Sequence, residues 1–138
     1  MTIAESAKSI EEHLRQLRRE FHRHPEISGN EKKTAARIVR ELSEIGGFEI
    51  REGVGGHGVI AELSGALPGP AIALRADMDA LQIEEETGLS FCSENCGVMH
   101  ACGHDLHTAV LLGTAEILAT RSLPFNLMFI FQHGEEVL

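Results

Sequence analysis

The sequence contains no tryptophan and no tyrosine, and its 138 residues include only six phenylalanines and three cysteines. A hydrophobic core must therefore be built mainly from leucine, isoleucine, valine and alanine. A small, odd number of cysteines does not suit a disulfide framework, so we interpret them as reduced thiols in a cytoplasmic protein. No apolar run approaches the roughly 18 residues of a membrane span, and the N-terminus lacks the pattern of a secretory signal.

Basic side chains are also scarce, because 12 Lys and Arg stand against 21 Asp and Glu, a formal net charge of −9. Nucleic acids and anionic membranes select for Lys and Arg, so this charge balance argues against both as partners. An acidic protein is compatible with bound cations, which offset repulsion between carboxylates. The length and the 43% apolar content indicate one globular domain or part of one.

Two stretches near the N-terminus have helical periodicity. The first helix should end near residues 22–24, because Pro25 biases the preceding residue away from helical angles. The second is predicted to begin at Ser28, where Ser28 and Glu31 fit a capping box, and to end at the pair Gly46–Gly47. The apolar residues of the first helix recur every three or four positions, at Ile10, Leu14, Leu17 and Phe21.

The middle of the chain changes to short strands separated by glycine and proline turns, and a long irregular segment follows at residues 77–103. A third helix and a nearly wholly apolar strand then follow, and we expect that strand to be covered on both faces. The sequence therefore predicts an α/β fold. The predicted strands are 48–51, 58–63, 71–76 and 125–131, and the third helix is about 106–120.

The strand 71–76, the helix 106–120 and the strand 125–131 form a plausible βαβ unit. In such a unit both parallel strands end, and the crossover helix begins, at one edge of the sheet, where α/β proteins bind their ligands. Three polar groups should meet there: Asp77 and Asp79 after the first strand, Cys102, His104 and Asp105 before the helix, and Glu135 and Glu136 after the second strand.

Residues 99–107 contain three histidines, one cysteine and one aspartate, which is a high density of metal ligands. Thiolate and imidazole are preferred ligands of zinc and similar ions, and Cys102 and His104 can face one ion or a close pair. Of the two carboxylates after the last strand, one can bind metal while the other faces a substrate. Accidental clustering of histidines and a solvated Glu135–Glu136 turn are the structural alternatives.

Other polar residues allow two interpretations. Asp77 and Asp79 either cap a turn or support the metal site. Residues 22–26 suit a helix C-terminus, which favours cations, and we assign them no catalytic role. The glycine-rich residues 53–58 are interpreted as a turn between strands. A different class of protein, a structural-zinc or interaction module, would use four ligands together: Cys92, Cys96, Cys102 and His104.

Three segments resemble the signatures of the M20 metallopeptidase family: LRADMDAL at residues 74–81, GVMHACGHD at 97–105 and FQHGEE at 131–136. The sequence is most similar to the amidohydrolase branch, which contains hippurate hydrolases, N-acyl-amino-acid deacetylases and auxin-conjugate hydrolases. Residues 22–26 also resemble the N-terminal motif of that branch. The resemblance implies the N-terminal part of a three-layer αβα catalytic domain with a mixed, partly parallel sheet.

The resemblance further implies a site for two divalent ions, which could be Zn, Mn, Co or Ni. Cys102, His104 and Glu136 match metal ligands, Glu135 matches the catalytic base, and Asp79 matches the acidic residue that supports the chemistry. The substrate implied is a small N-acyl amino acid whose amide bond is cleaved, or a C-terminal peptide bond. Further support for the site is expected from Asp77, Asp105 and His107.

The family's two remaining histidine ligands lie downstream of the residues present, as does the small lid domain through which members often form homodimers. At most three of five expected protein ligands are therefore on this chain. We expect it to be a partial catalytic domain over residues 1–138 that is inactive, or nearly so, by itself. Glycine at position 134 and glutamine at position 82 depart from common family residues without touching a matched ligand.

Overall fold

The computed structural model of the protein describes residues 1–137, which form four helices and four strands. The helices are α1 (Ile3–Ser9), α2 (Glu11–Arg23), α3 (Lys32–Ile45) and α4 (His104–Ala119). The strands are β1 (Glu49–Val54), β2 (Gly58–Leu63), β3 (Ala71–Asp77) and β4 (Asn126–Gln132).

The strands form one mixed sheet in the order β1-β2-β4-β3. β2 pairs antiparallel with β1 and with β4, whereas β3 and β4 are parallel neighbours. Helix α4 connects these two parallel strands, so the predicted βαβ unit is confirmed. Asp77 lies opposite Gln132 in the register, and both strands therefore end at the same edge of the sheet.

The hydrophobic core lies between the sheet and the helices. Alternate residues of β4 are buried, with Leu127, Phe129 and Phe131 packed in one cluster with apolar residues of α2, α3 and α4. Met128 and Ile130 point to the opposite face and are only partly buried. The α/β class and the mixed, partly parallel sheet are confirmed, but within residues 1–137 the helices pack on one face. The expectation that β4 is covered on both faces is therefore wrong for this part of the chain.

The predicted start of α3 is also wrong. The helix begins at Lys32 and has no side-chain cap from its N-cap residue Glu31. Instead the carboxylate of Glu26 accepts hydrogen bonds from the backbone N–H of Lys33 at 3.2 Å and of Thr34 at 2.8 Å. Ser28 and Glu31, which fit a capping box in sequence, make long-range contacts that sequence spacing does not reveal. The other end is as predicted, since Gly46 ends the helix with a positive φ of 80°.

The remaining boundaries agree closely with the sequence prediction, except that α1 was not predicted. Its N-terminus has a capping box between Thr2 and Glu5. The predicted turn between β1 and β2 is confirmed and lies at residues 55–57, because residues 53, 54 and 58 belong to the two strands. The segment after β3 contains no named helix or strand before α4, and isolated bridges join Ile27 to Ala80 and Leu81 to Met99. Among residues 1–137, none of the helices has the length and hydropathy needed to cross a membrane.

Candidate metal centre

The edge where β3 and β4 end brings the predicted ligands together. One potential ligand atom from each of Cys102, His104 and Glu136 lies within 4.8 Å of the other two. A second group, which shares His104, contains Asp77 and Glu135 under the same criterion. The βαβ argument thus correctly placed residues that are far apart in sequence.

His104 begins helix α4 and is buried, with only 6% of its surface exposed. Its Nδ1 lies 2.9 Å from the backbone carbonyl of Asp79. A carbonyl oxygen can only accept, so Nδ1 carries the proton and donates this hydrogen bond. A histidine that donates from Nδ1 in this way can offer Nε2 as a ligand, which is the usual arrangement of a metal-binding histidine.

The two carboxylates that follow β4 face this free nitrogen without hydrogen bonding to it. His104 Nε2 lies 3.8 Å from Glu135 Oε2 and 3.8 Å from Glu136 Oε1, which is too long for a hydrogen bond. The side chain of Glu135 is 40% exposed and that of Glu136 is 24% exposed. The more exposed Glu135 is the carboxylate better placed to reach a molecule that arrives from solvent.

Asp79 lies beneath the site and is completely buried. Its Oδ2 accepts hydrogen bonds from the Ser28 hydroxyl at 2.6 Å and from the Glu136 backbone N–H at 2.8 Å. Burial opposes ionisation, but these two hydrogen bonds hold the pKa of Asp79 below its usual value. Asp79 is thus a carboxylate that orients the ligand segments on both sides of the site.

Cys102 is partly buried, and its Sγ lies 3.7 Å from the Asp79 carbonyl oxygen. Burial, together with the neighbouring Glu136 carboxylate, raises the pKa of the Cys102 thiol to about 11. In the metal-free chain the thiol is therefore protonated at neutral pH. A bound cation would lower the pKa of the Cys102 thiol, because coordination deprotonates a thiol.

The residues present fit a divalent metal. Ligand atoms around one Zn²⁺ lie roughly 3–4 Å apart, and the spacing in both groups is compatible with a shared ion. One buried oxygen of Asp79, Oδ1, has no hydrogen-bond partner although it lies 3.2 Å from His104 Nδ1. Sulfur, imidazole and carboxylate together suit zinc and similar transition metals.

The other residues predicted to support the site have different positions. Asp77 Oδ1 accepts hydrogen bonds from Arg75 at 2.9 and 2.7 Å, and one oxygen of the same carboxylate lies within 4.8 Å of ligand atoms of His104 and Glu135. His107 is exposed on α4, and its ring centroid lies 5.7 Å from that of His104. Asp105 belongs to neither ligand group.

Asp105 instead closes a buried network behind the site. Its Oδ2 accepts a hydrogen bond from His22 Nδ1 at 2.7 Å and forms an ion pair with Arg18, whose Nε lies 2.8 Å away. The other ring nitrogen of His22 lies 3.1 Å from Glu85 Oε1. His22 therefore links helix α2 to the irregular segment and to the start of α4. Local sequence patterns predict no role for residues 22–26 beyond a helix end, although their likeness to a family motif is a signal of one.

His100 is a second buried histidine for which the sequence predicts no separate role. It is 4% exposed, and neither ring nitrogen has a hydrogen-bond partner. Burial, opposed in part by the negative charge of Asp105, lowers the pKa of His100 to about 4. It is therefore a neutral histidine in the segment that leads to Cys102.

The alternative zinc site is not formed in this structure. Cys92 and Cys96 are exposed free thiols. Within residues 1–137, neither ligand-compatible group includes them, and both groups use His104. The four residues Cys92, Cys96, Cys102 and His104 therefore do not surround one ion in this conformation.

The fold and the site define an α/β protein with a candidate divalent-metal centre at the carboxyl edge of two parallel strands. Residues 73–138 match the family model "Peptidase family M20/M25/M40". The YXEP protein of Bacillus subtilis, a dinuclear metal binding peptidase from the M20 family, superposes with a TM-score of 0.89 and 47% identity. That match covers 94% of this chain and 37% of the YXEP chain. The chain belongs to the M20 family.

Two further relatives are enzymes with named substrates. N-acetyl-L-cysteine deacetylase of Bacillus subtilis is 48% identical over 130 residues, which cover 93% of this chain and 31% of the relative. N-acyl-L-amino acid amidohydrolase of Geobacillus stearothermophilus is 48% identical over 122 residues, which cover 87% of this chain and 33% of the relative. The chain thus spans about a third of the length of the curated relatives that it matches.

Proposed function

We propose that this chain carries part of the active site of a metal-dependent amidohydrolase that cleaves the amide bond of small N-acyl amino acids. The observation that carries the proposal is the convergence of Cys102, His104 and Glu136, with Glu135 beside them, at one edge of the sheet. The substrate class is supported by relatives that are named for acting on N-acetylcysteine and on N-acyl amino acids.

Three residues would hold metal in this proposal, and a fourth would move a proton. Cys102, His104 and Glu136 are the proposed ligands, because one ligand atom of each lies within 4.8 Å of the other two and the resemblance matches all three to metal ligands. Divalent ions supply Lewis acidity, which polarises an amide carbonyl and lowers the pKa of water. The identity of the ions, whether Zn, Mn, Co or Ni, belongs to the proposal, as does their number of two.

Glu135 is proposed as the general base. Its carboxylate is exposed enough to contact water and substrate, and it lies 3.8 Å from the buried His104 ring. A carboxylate can take a proton from the attacking water and then return it to the leaving amine, so one group serves as base and then as acid. Asp79 would support this chemistry from below by orienting His104 and the backbone of Glu136.

The chain is proposed to be inactive, or nearly so, without further residues. Its site offers three ligands, whereas the resemblance implies five for two ions. Homodimerisation through a lid domain, as in complete family members, and a cytoplasmic location complete the proposal. Asp77, Asp105 and His107 are proposed as supporting residues, with Asp105 acting through its contact with His22.

Co²⁺ titration tests the ligand set, because a thiolate bound to Co²⁺ absorbs strongly in the near ultraviolet. We expect this absorption for the 138-residue chain and its loss in Cys102→Ser. Cys92→Ser is the matched control and should keep both the absorption and the stoichiometry, since Cys92 lies outside the ligand groups. Loss of the absorption in Cys92→Ser would support the structural-zinc alternative instead.

Hydrolysis of N-acetyl and N-benzoyl amino acids tests the activity. The 138-residue chain should show no robust turnover with added Zn²⁺ or Mn²⁺, whereas a polypeptide that continues it to the length of its relatives should be active. In that polypeptide Glu135→Gln should lose activity and retain metal, and chelation should abolish turnover. Robust turnover by the 138-residue chain would contradict its proposed inactivity.

A further inference from the structure

The connection between α2 and α3 touches the candidate site at several points. We call residues 26–31 the anchor segment. The Ala80 backbone N–H donates to the Glu26 carbonyl at 2.8 Å, and Ile27 forms a bridge with Ala80. The side chains of Ser28 and Glu31 extend farther, to Asp79 and to Gly134 respectively. The segment therefore contacts both strand ends that form the site.

Glu31 is completely buried in the anchor segment. Its Oε1 accepts a hydrogen bond from the backbone N–H of Gly134 at 2.7 Å, and its Oε2 has no hydrogen-bond partner. A buried carboxylate with half of its acceptors unfilled is costly for stability. Capping of α3 does not explain its position, because Glu31 makes no side-chain cap and Glu26 fills that role.

Ser28 acts on the same loop through Asp79. Its hydroxyl donates to Asp79 Oδ2 at 2.6 Å, and the same oxygen accepts from the backbone N–H of Glu136 at 2.8 Å. The backbone N–H groups on either side of Glu135 are thus both held by buried carboxylates. Gly134 has a φ of 63°, a left-handed conformation that turns the chain immediately before Glu135.

We propose that Glu31 is a positioning residue that fixes the Glu135–Glu136 loop over the metal centre through Gly134. It acts through the backbone and touches neither metal nor substrate. The Gly134 hydrogen bond holds the loop from one side, and the bond between Asp79 and Glu136 holds it from the other. The significance of this position rests on the proposed function, whereas the hydrogen bond itself is a property of the fold.

Three variants separate positioning from ordinary stabilisation. Glu31→Ala removes the acceptor for the Gly134 N–H, whereas Glu31→Gln keeps a carbonyl oxygen in its place. Glu26→Ala is the matched control, because it removes a partly buried carboxylate of the same segment whose hydrogen bonds serve the start of α3. Each variant is compared with the parent chain under conditions in which at least nine tenths of the protein is folded.

Two readouts are measured on the 138-residue chain: amide hydrogen exchange of Gly134, and Co²⁺ affinity from the thiolate absorption. For Glu31→Ala we expect Gly134 exchange at least about tenfold faster and Co²⁺ binding roughly 10–100-fold weaker, the range for lost support of metal ligands. Glu31→Gln should keep Gly134 exchange and Co²⁺ affinity much closer to those of the parent chain. Glu26→Ala should lower stability while leaving Gly134 exchange and Co²⁺ affinity near their parent values.

The proposal is overturned if Glu31→Ala leaves both readouts where Glu26→Ala leaves them, or if Glu31→Gln is as defective as Glu31→Ala. If the Glu31→Ala chain is too unstable to meet the folded condition, Glu31→Gln and Ser28→Ala are compared instead. Glu31→Gln should change amide exchange at Gly134 least, and Ser28→Ala should speed amide exchange at Glu136 most. Absence of Co²⁺ absorption in the parent chain contradicts the proposed function, while Gly134 exchange still decides whether Glu31 holds the loop.

Discussion

The candidate ligands come from two regions with opposite surroundings. Cys102 and His104 lie at the start of α4, where His104 is nearly buried and Asp105 beside it is completely buried. Glu135 and Glu136 lie in the loop after β4, with side chains 40% and 24% exposed. We call the first the helix side of the site and the second the loop side.

The two sides are also held in different ways. The helix side is held by charged and ring side chains: Asp105 accepts from His22 and forms an ion pair with Arg18, and His104 donates to the backbone carbonyl of Asp79. The loop side is held through the backbone N–H groups of Gly134 and Glu136, and its carboxylates are more exposed. Strong interactions on the helix side would fix the proposed ligands Cys102 and His104, and the greater exposure of the loop side suits the proposed role of Glu135, which must reach water and substrate.

Removal of Asp105 should cause the largest loss of stability. Asp105→Ala leaves His22 and Arg18 without their buried partner, and breaking such a contact costs about 3–5 kcal/mol. Urea denaturation measures the change, with Glu11→Ala in the exposed pair of Glu11 and Arg15 as the control. That control should cost less than about 1 kcal/mol, because exposed ion pairs contribute little. Equal losses would show that the helix side is no more strongly held than the protein surface.

Protonation of His100 should have the next largest effect on the helix side. Burial lowers the pKa of His100 to about 4, and an unfolded histidine titrates near 6.5. The unfolded chain therefore takes up the proton first, so stability present above pH 6.5 is lost as the pH falls to 4. The expected loss is about 3 kcal/mol.

Urea denaturation of the metal-free chain between pH 4 and 7 measures this loss. His100→Leu should flatten the pH dependence in that range, because it removes the buried group that must be protonated. His24→Gln is the control, since the side chain of His24 is 52% exposed and its replacement should leave the slope unchanged. A slope that survives in His100→Leu would assign the acid sensitivity to other groups.

The sequence predicted the fold well because its elements are local patterns. The β3–α4–β4 unit follows from apolar runs, periodicity and turn residues, and it correctly brought Cys102, His104 and the glutamate pair to one edge. The resemblance then suggested different roles for Glu135 and Glu136. The exposure of these two side chains is compatible with that division of roles, which remains a proposal.

The contacts that hold the site could not be predicted in the same way. Glu31 meets Gly134 across 103 positions, and His22 meets Asp105 across 83. Neither pair has a local signature, because each depends on how helices pack over the sheet. The capping-box pattern is misleading for Ser28 and Glu31. Their spacing fits a capping box, but their side chains contact Asp79 and Gly134 instead of the helix N-terminus.

The smallest predicted effect compares one glycine from each side. Gly103 has a φ of 88° and Gly134 a φ of 63°, and an added Cβ would meet no atom within 4 Å at either position. Alanine at each site therefore introduces backbone strain without a steric clash, and a left-handed residue costs about 1–2 kcal/mol. Gly103→Ala should lose this full amount, because the buried contacts of His104 and Asp105 prevent the backbone from relaxing.

Gly134→Ala should lose less, under about 1 kcal/mol, because the exposed loop can move to relieve the strain. That movement should appear as faster amide exchange at position 134 and at Glu136, whereas Gly103→Ala should leave exchange in the loop unchanged. Urea denaturation and amide exchange on the two variants measure both effects. Equal stability losses, with no change in exchange at Glu136, would mean that the loop side is as rigid as the helix side despite its exposure.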